Sequence, residues 1–303
     1  MAKPQPLIVA KPDSASDVST YAEQSLQRAG MLGVLPTPID TLISASHLTA
    51  SVDPEPLVKS FLSRLKGQAK DAFTTGWQKL RGIADLRERA IYVPSDKAPV
   101  RVTWAKAHEL GHQIIPWHTV NSGYQDDERS LSADAQELFD QEANFFASEV
   151  IFQGRRFQRV ARDYQPSLDA VLKLADQHGA SRQATLWRFV EDHDEPVAGI
   201  LYWPSRYVYD ENGEPPLTRG RVVVASPTFR EKYANVSLPD TLPTSHEWAT
   251  ARQSRSVVEC ELALMVEGEA VTFQTFAWWN TYCVMVLIRR KPRFHVISHV
   301  FGK

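Results

Sequence analysis

Cysteine is nearly missing from this chain of 303 residues, which has only Cys260 and Cys283. Two thiols cannot supply the disulfide framework of a small secreted scaffold, and their scarcity suits a reducing compartment. Long apolar runs are missing as well. The longest, such as Cys283 to Ile288, fall far short of the ~18 residues a membrane span needs. At the start, Leu7 to Ala10 is too brief for the apolar core of a signal peptide. A cytoplasmic protein with no membrane segment is therefore expected. Neither sign of charge dominates, since 34 Lys and Arg stand against 36 Asp and Glu for a net charge of −2. That balance excludes a polybasic nucleic-acid binder as a description of the whole chain. What is present is apolar material: 43% hydrophobic and 10% aromatic residues can build real cores. Disorder throughout is excluded, and the length suggests about two folding units.

Residues 1–17, rich in Pro, Lys, Asp and Ser, read as a loose tail. Helical patterns follow at Val18 to Ala29 and Pro56 to Phe73, with a Pro-containing connection, Leu35 to Pro38, between them. Ala90 to Val93 is a short strand ended by Pro94-Ser95-Asp96. Two stronger helices are expected at Trp104 to Ile115, capped by Thr103 and stopped by Pro116, and at Ala133 to Ile151, capped by Ser132. Beyond Glu195 the texture turns β-branched and aromatic. Strands are expected at Val197 to Trp203, Arg221 to Ala225, Val257 to Val266, Ala270 to Trp278 and Tyr282 to Ile288, with some helical cover at Thr244 to Ser254. The fold class expected is α+β, divided as 1–17 tail, 18–154 helical domain with a small sheet, 155–194 helix-turn-helix-like region and 195–303 antiparallel-sheet domain.

The informative string is Ala107-His108-Glu109-Leu110-Gly111-His112, an H-E-x-x-H motif. Helical residues four apart share a face, so both imidazoles can grip one ion. Glu109 can then take a proton from water at the open position. Neutral imidazoles favour zinc, with manganese as the alternative in the cell. Composition gives about 0.016 chance matches to this motif, and it falls within an amphipathic helix.

A catalytic site of this kind needs a third protein ligand. Leu138, Phe139, Phe145, Phe146 and Val150 mark an apolar stripe on the second helix, with Glu142 in its middle. A carboxylate facing a core needs a cation or a metal as partner. The plainer reading pairs it with Arg101. Glu149, seven residues on, competes for the ligand role or accepts a hydrogen bond that fixes a histidine tautomer.

These residues resemble the ImmA/IrrE-type metallopeptidases of bacteria and their mobile elements. The resemblance rests on His108 to His112 and on Glu142-Ala143-Asn144-Phe145-Phe146-Ala147-Ser148-Glu149. Ile91-Tyr92-Val93 and Arg101 support it. The specific part spans about residues 90–152, and weaker similarity runs over roughly 20–190. The usual apolar-Met-Pro ending of the second helix is replaced by Val150-Ile151-Phe152-Gln153. The resemblance implies a zincin-like, gluzincin-type domain with His108, His112 and Glu142 as zinc ligands and Glu109 as base. It implies cleavage of a specific regulatory protein, a helix-turn-helix transcriptional repressor, which releases stress-response or mobile-element genes. His118, Tyr124 and Tyr164 are candidates for stabilising the oxyanion. The alternative is a non-proteolytic regulator that binds DNA or a repressor and uses the metal structurally.

Leu172 to Arg188 outlines a helix, a turn at Gly179-Ala180-Ser181 and a second helix. With Arg155, Arg156, Arg159, Arg162, Lys173, Arg182 and Arg188 against Asp163, Asp169 and Asp176, the local net charge of about +4 suits phosphate contacts. A plain helical pair with solvated arginines is the preferred reading, ahead of DNA binding. By the same resemblance, residues 195–303 are a GAF-like sensory domain for a small effector or a partner, with Tyr202, Trp203, Trp278 and Trp279 as pocket or core. His295 and His299 are discounted as ligands because their segment reads as extended.

Overall fold

The computed structural model describes residues 11–51, 83–85, 90–93, 98–123, 133–204, 217–242, 245–254 and 256–290. The expected helix at 56–73, the turn at 94–96, the Ser132 cap, Tyr124, His295 and His299 lie outside them. The chain divides into two compact units, Ala10–Val160 with Lys173–Ala184, and Ala161–Leu172 with Thr185–Lys303. Helices and an antiparallel sheet make the α+β class.

In the first unit, α1 (Ala15–Arg28) and α2 (Ile39–Ala45) precede a small sheet of β1 (Thr49–Ser51), β2 (Ile83–Asp85) and β3 (Ala90–Tyr92). The order is β1-β3-β2, with β1 parallel and β2 antiparallel to the central strand. Then come α3 (Pro99–Ile114), α4 (Pro116–Gly123), α5 (Ala133–Phe152) and α6 (Arg155–Arg162). The helix of the H-E-x-x-H motif starts five residues earlier than expected, and Thr103 lies inside it instead of capping it. Pro99 explains the difference, because its fixed φ and missing N–H suit the first helical position. Pro116 ends α3 and opens α4 in the same way.

The core face of α5 also differs from expectation. Leu138 is exposed, whereas Ala143, Phe146, Ala147, Val150 and Ile151 are buried. Small residues on this stripe let α3 come close. A Cβ on Gly111 would stand 3.2 Å from Ala143 Cα and from Phe146 Cβ. Glycine at this position of the motif is thus set by the crossing of two helices.

Past the end of α5, Gln153 takes a left-handed φ of 55° and is buried. Its Oε1 accepts from Gly33 N at 2.7 Å, and its Nε2 faces Met31 O, Val34 O and Thr37 Oγ1 at 3.1, 2.8 and 3.1 Å. One amide therefore satisfies the polar backbone of the loop between α1 and α2. Gln153→Ala is expected to destabilise the protein by about 1–3 kcal/mol, because the loop loses hydrogen bonds that are part-buried or, at Thr37, buried. A chemical-denaturation midpoint unchanged by the substitution would contradict this account.

Two further helices, α7 (Leu168–His178) and α8 (Arg182–Glu191), flank the predicted turn. Ser167 Oγ accepts from Ala170 N and Ser181 Oγ from Ala184 N, so each hydroxyl caps its helix. The second unit holds β4 (Val197–Pro204), β5 (Leu217–Ala225), α9 (Pro227–Tyr233), β6 (Thr241–Leu242), β7 (Val258–Val266), β8 (Glu269–Trp279) and β9 (Val284–Arg290). They form a six-stranded antiparallel sheet in the order β6-β5-β4-β9-β8-β7. Glu267 and Gly268, both at positive φ, close the two-residue β7–β8 hairpin. The helical cover expected at 244–254 shrinks to a 3-10 turn at Ala249–Arg252.

One face of this sheet packs on Phe229, Leu238, Trp248 and Ala251. Tyr202 lies in that core and donates its hydroxyl to Pro239 O at 2.9 Å. Trp248 Nε1 donates to Thr275 Oγ1 at 2.9 Å, so both polar tips are satisfied.

His178 and His193 are buried, and His246 is partly buried. His178 sits among Phe152 and Phe157, His193 beside Phe189, and His246 beside Trp248. Burial lowers all three below the ordinary histidine value. The unfolded chain therefore binds more protons than the folded chain just below pH 6.5. Stability is full above that pH and is lost progressively as pH falls towards the lowered folded values. Denaturation midpoints should drop between pH 7.5 and 5.5, with a shallower slope in His178→Phe. A flat profile over that range would contradict the assignment.

Candidate metal centre

Residue spacing on α3 places His108 and His112 one turn apart, and their Nε2 atoms are 3.2 Å from each other. The carboxylate that approaches both is Asp140 on α5. Its Oδ1 lies 3.9 Å from His108 Nε2 and 3.7 Å from His112 Nε2. Among the described residues, these three side chains form a group whose ligand atoms all fall within 4.8 Å of one another. Two ligands each about 2.0–2.1 Å from a tetrahedral zinc stand roughly 3.3 Å apart, so the donor set fits such an ion.

Hydrogen bonding on the far side of the rings supports that fit. His108 Nδ1 is 3.1 Å from Asn144 Oδ1, which is only an acceptor, so the proton sits on Nδ1 and Nε2 keeps its lone pair. A lone pair facing a second imidazole nitrogen and a carboxylate is unfavourable unless a proton or a cation lies between them. The Asp140 carboxyl is held below its usual range chiefly by the His112 imidazole, with partial burial acting the other way. The rings are about one-fifth exposed, and Asp140 stands 68% exposed on the rim. The group therefore opens to solvent on one side, as a site that admits a substrate must. Glu109, next to His108 in sequence, is 6% exposed.

Glu142 takes a different place from the one its position suggests. Its oxygens accept from Ser14 Oγ, Trp117 Nε1 at 2.8 Å and His118 Nε2 at 2.7 Å. None of these partners is an arginine, and Arg101 lies exposed in the first turn of α3. Burial acts to raise the Glu142 carboxyl. The three hydrogen bonds and the His118 charge outweigh it and hold the group below the usual range.

His118 Nδ1 in turn lies 3.0 Å from His112 Nδ1. Burial lowers the His118 pKa, against the raising effect of Glu142. Both His118 nitrogens are thus engaged, and neither is left for an oxyanion. Glu149 lies at the other end of α5, where its Oε2 sits 2.9 Å from where a Cβ on Gly154 would be. Tyr164 follows α6 in the second unit.

Sequence reading missed Asp140 and Asn144. Asp140 was overlooked because it is an ordinary surface residue by pattern, outside the apolar stripe. Its signal is spacing: it lies one turn before Asn144 on α5, and Asn144 contacts His108.

Residues 66–189 match the model of the Peptidase M78 family, described as the IrrE N-terminal-like domain. A solved structure of a Mycobacterium tuberculosis transcriptional regulator is similar to this chain, with 13% identity and a TM-score of 0.51. That match covers 91% of this chain and 76% of the other, and at such identity the likeness is one of fold. No curated protein matches.

Proposed function

Starting from an IrrE N-terminal-like domain of the metallopeptidase kind over residues 66–189, we propose that this chain is a zinc-dependent endopeptidase acting on a regulatory protein. The observation that carries the proposal is the convergence of His108 Nε2, His112 Nε2 and Asp140 Oδ1, with the buried Glu109 next to His108 in the chain. His108, His112 and Asp140 would hold the ion, with Asp140 in the role first given to Glu142. Imidazole nitrogens favour zinc over manganese. When bound, zinc supplies Lewis acidity, polarising a peptide carbonyl and acidifying water.

The chain's own residues do the rest. Asn144 fixes the His108 tautomer so that Nε2 faces the site. Glu109 Oε takes the proton of the attacking water and returns it to the leaving amine nitrogen, so that one carboxylate serves both halves of the hydrolysis. Solvent exposure on the Asp140 side gives a substrate access to the group. A helix-turn-helix repressor is the substrate class that the family resemblance supports, and residues 195–303 are the GAF-like part that would receive an effector or partner.

The test is incubation of candidate helix-turn-helix repressors with the wild-type protein and Glu109→Gln in the presence of zinc. Fragments from the wild type alone support the peptidase. A tight complex without fragments from either protein favours the non-proteolytic regulator. A structural metal site has no need of Glu109.

A further inference from the structure

A metal-ligating imidazole holds its aim when the other ring nitrogen is engaged by a fixed partner. Asn144 does this for His108. For His112 the partner is a second imidazole, with a carboxylate behind it. His112 Nδ1 lies 3.0 Å from His118 Nδ1, and His118 Nε2 lies 2.7 Å from Glu142 Oε2.

Donors along this line can be assigned. An ionised carboxylate only accepts, so the hydrogen of a singly protonated His118 is on Nε2. His118 Nδ1 then offers a lone pair, met by the Nδ1–H of His112. The lone pair of His112 is left on Nε2, facing His108 and Asp140. The outer members are themselves fixed. Glu142 also accepts from Ser14 and Trp117, and His118 stacks on Phe139 with ring centroids 4.2 Å apart.

We propose that His118 and Glu142 are positioning residues, a buried relay that sets the tautomer and aim of His112. Ser14, at the start of α1, ties the N-terminal helix into the same relay. This deepens the metal-site reading above and rests on it. Glu142, two residues from Asp140 on one helix, acts on the ion through two imidazoles instead of touching it.

The experiment measures zinc affinity of the full chain by competition with a chromophoric chelator. It also records the visible band of the Co2+-loaded protein, with folding checked by circular dichroism. His118→Phe keeps the stacking on Phe139 but removes both nitrogens, and should lose 10- to 100-fold in zinc affinity. His118→Gln restores one acceptor and one donor and should recover most of that loss. Glu142→Gln still accepts from His118, so its loss is smaller and its Co2+ band keeps position and intensity. Ser14→Ala shifts affinity in the same direction by a smaller factor.

If His118→Phe does not fold, His118→Gln and Glu142→Gln carry the test through the Co2+ band and the affinity order. Wild-type affinity in both His118 variants overturns the relay and leaves the metal site standing. A Co2+ band lost or displaced in Glu142→Gln makes Glu142 a ligand and also overturns it. A wild-type chain that takes up neither Zn2+ nor Co2+ fails the metal reading itself.

Discussion

Glu109→Gln should abolish measurable cleavage while leaving zinc affinity close to that of the wild type. Moving a proton in the transition state contributes typically 10²- to 10⁴-fold, and the amide of glutamine can neither take the proton from water nor deliver it to an amine. The substitution is nearly isosteric. At 6% exposure a neutral amide is also easier to bury than a carboxylate, so the fold is not expected to suffer. Lost turnover with retained zinc therefore separates a proton-transfer role from a structural one. The readout is a time course of repressor fragments on a gel, paired with zinc competition on the same preparations. Equal rates for the two proteins would falsify Glu109 as the base.

Removing the metal should produce the largest change in stability. An ion that binds only the folded state adds about 4 kcal/mol when free zinc is a thousand-fold above its dissociation constant. For a unit of about 160 residues, each kcal/mol moves the transition by roughly 2–4 °C, so chelation should lower Tm by about 8–16 °C. Calorimetry with excess EDTA and then with excess zinc reads this directly. The double substitution His108→Ala, His112→Ala should unfold at one temperature in both conditions. If the wild type behaves likewise, the imidazole pair holds no ion.

Much of this molecule was legible because local chemistry and tertiary packing agree. The pair His108 and His112 follows from helical period alone. The strands at Val197, Val258, Glu269 and Val284 follow from β-branched and aromatic runs between clear turn signals. Pro227 after Ser226 announces α9 in the same way, with Ser226 Oγ accepting from Phe229 N as the cap, although that helix was not expected. Expectation and structure differ where two local rules compete. Thr103 is a good cap, but Pro99 is a better helix start. Glu142 lies in an apolar region, where a metal or an arginine such as Arg101 is the expected partner of a buried carboxylate. Its actual neighbours, Ser14 and His118, come from α1 and α4, and no spacing rule connects such distant segments to α5. Asp140 escaped notice for the converse reason: its ligand-like position depends on how α5 is rotated against α3. Rotation about a helix axis is decided by packing of small residues and is invisible in hydropathy.

That rotation depends on very little space. Gly111 stands between the two imidazoles and Ala143 between Glu142 and Asn144, and the helices touch at these two positions. The inner relay and the outer oxygen are therefore set by a single crossing. A methyl group added at the crossing would push α5 outward and shift Asp140, Glu142 and Asn144 together. The three groups that aim the imidazoles or meet them thus behave as one mechanical part, with its tolerance fixed by the absence of a side chain on the opposing helix.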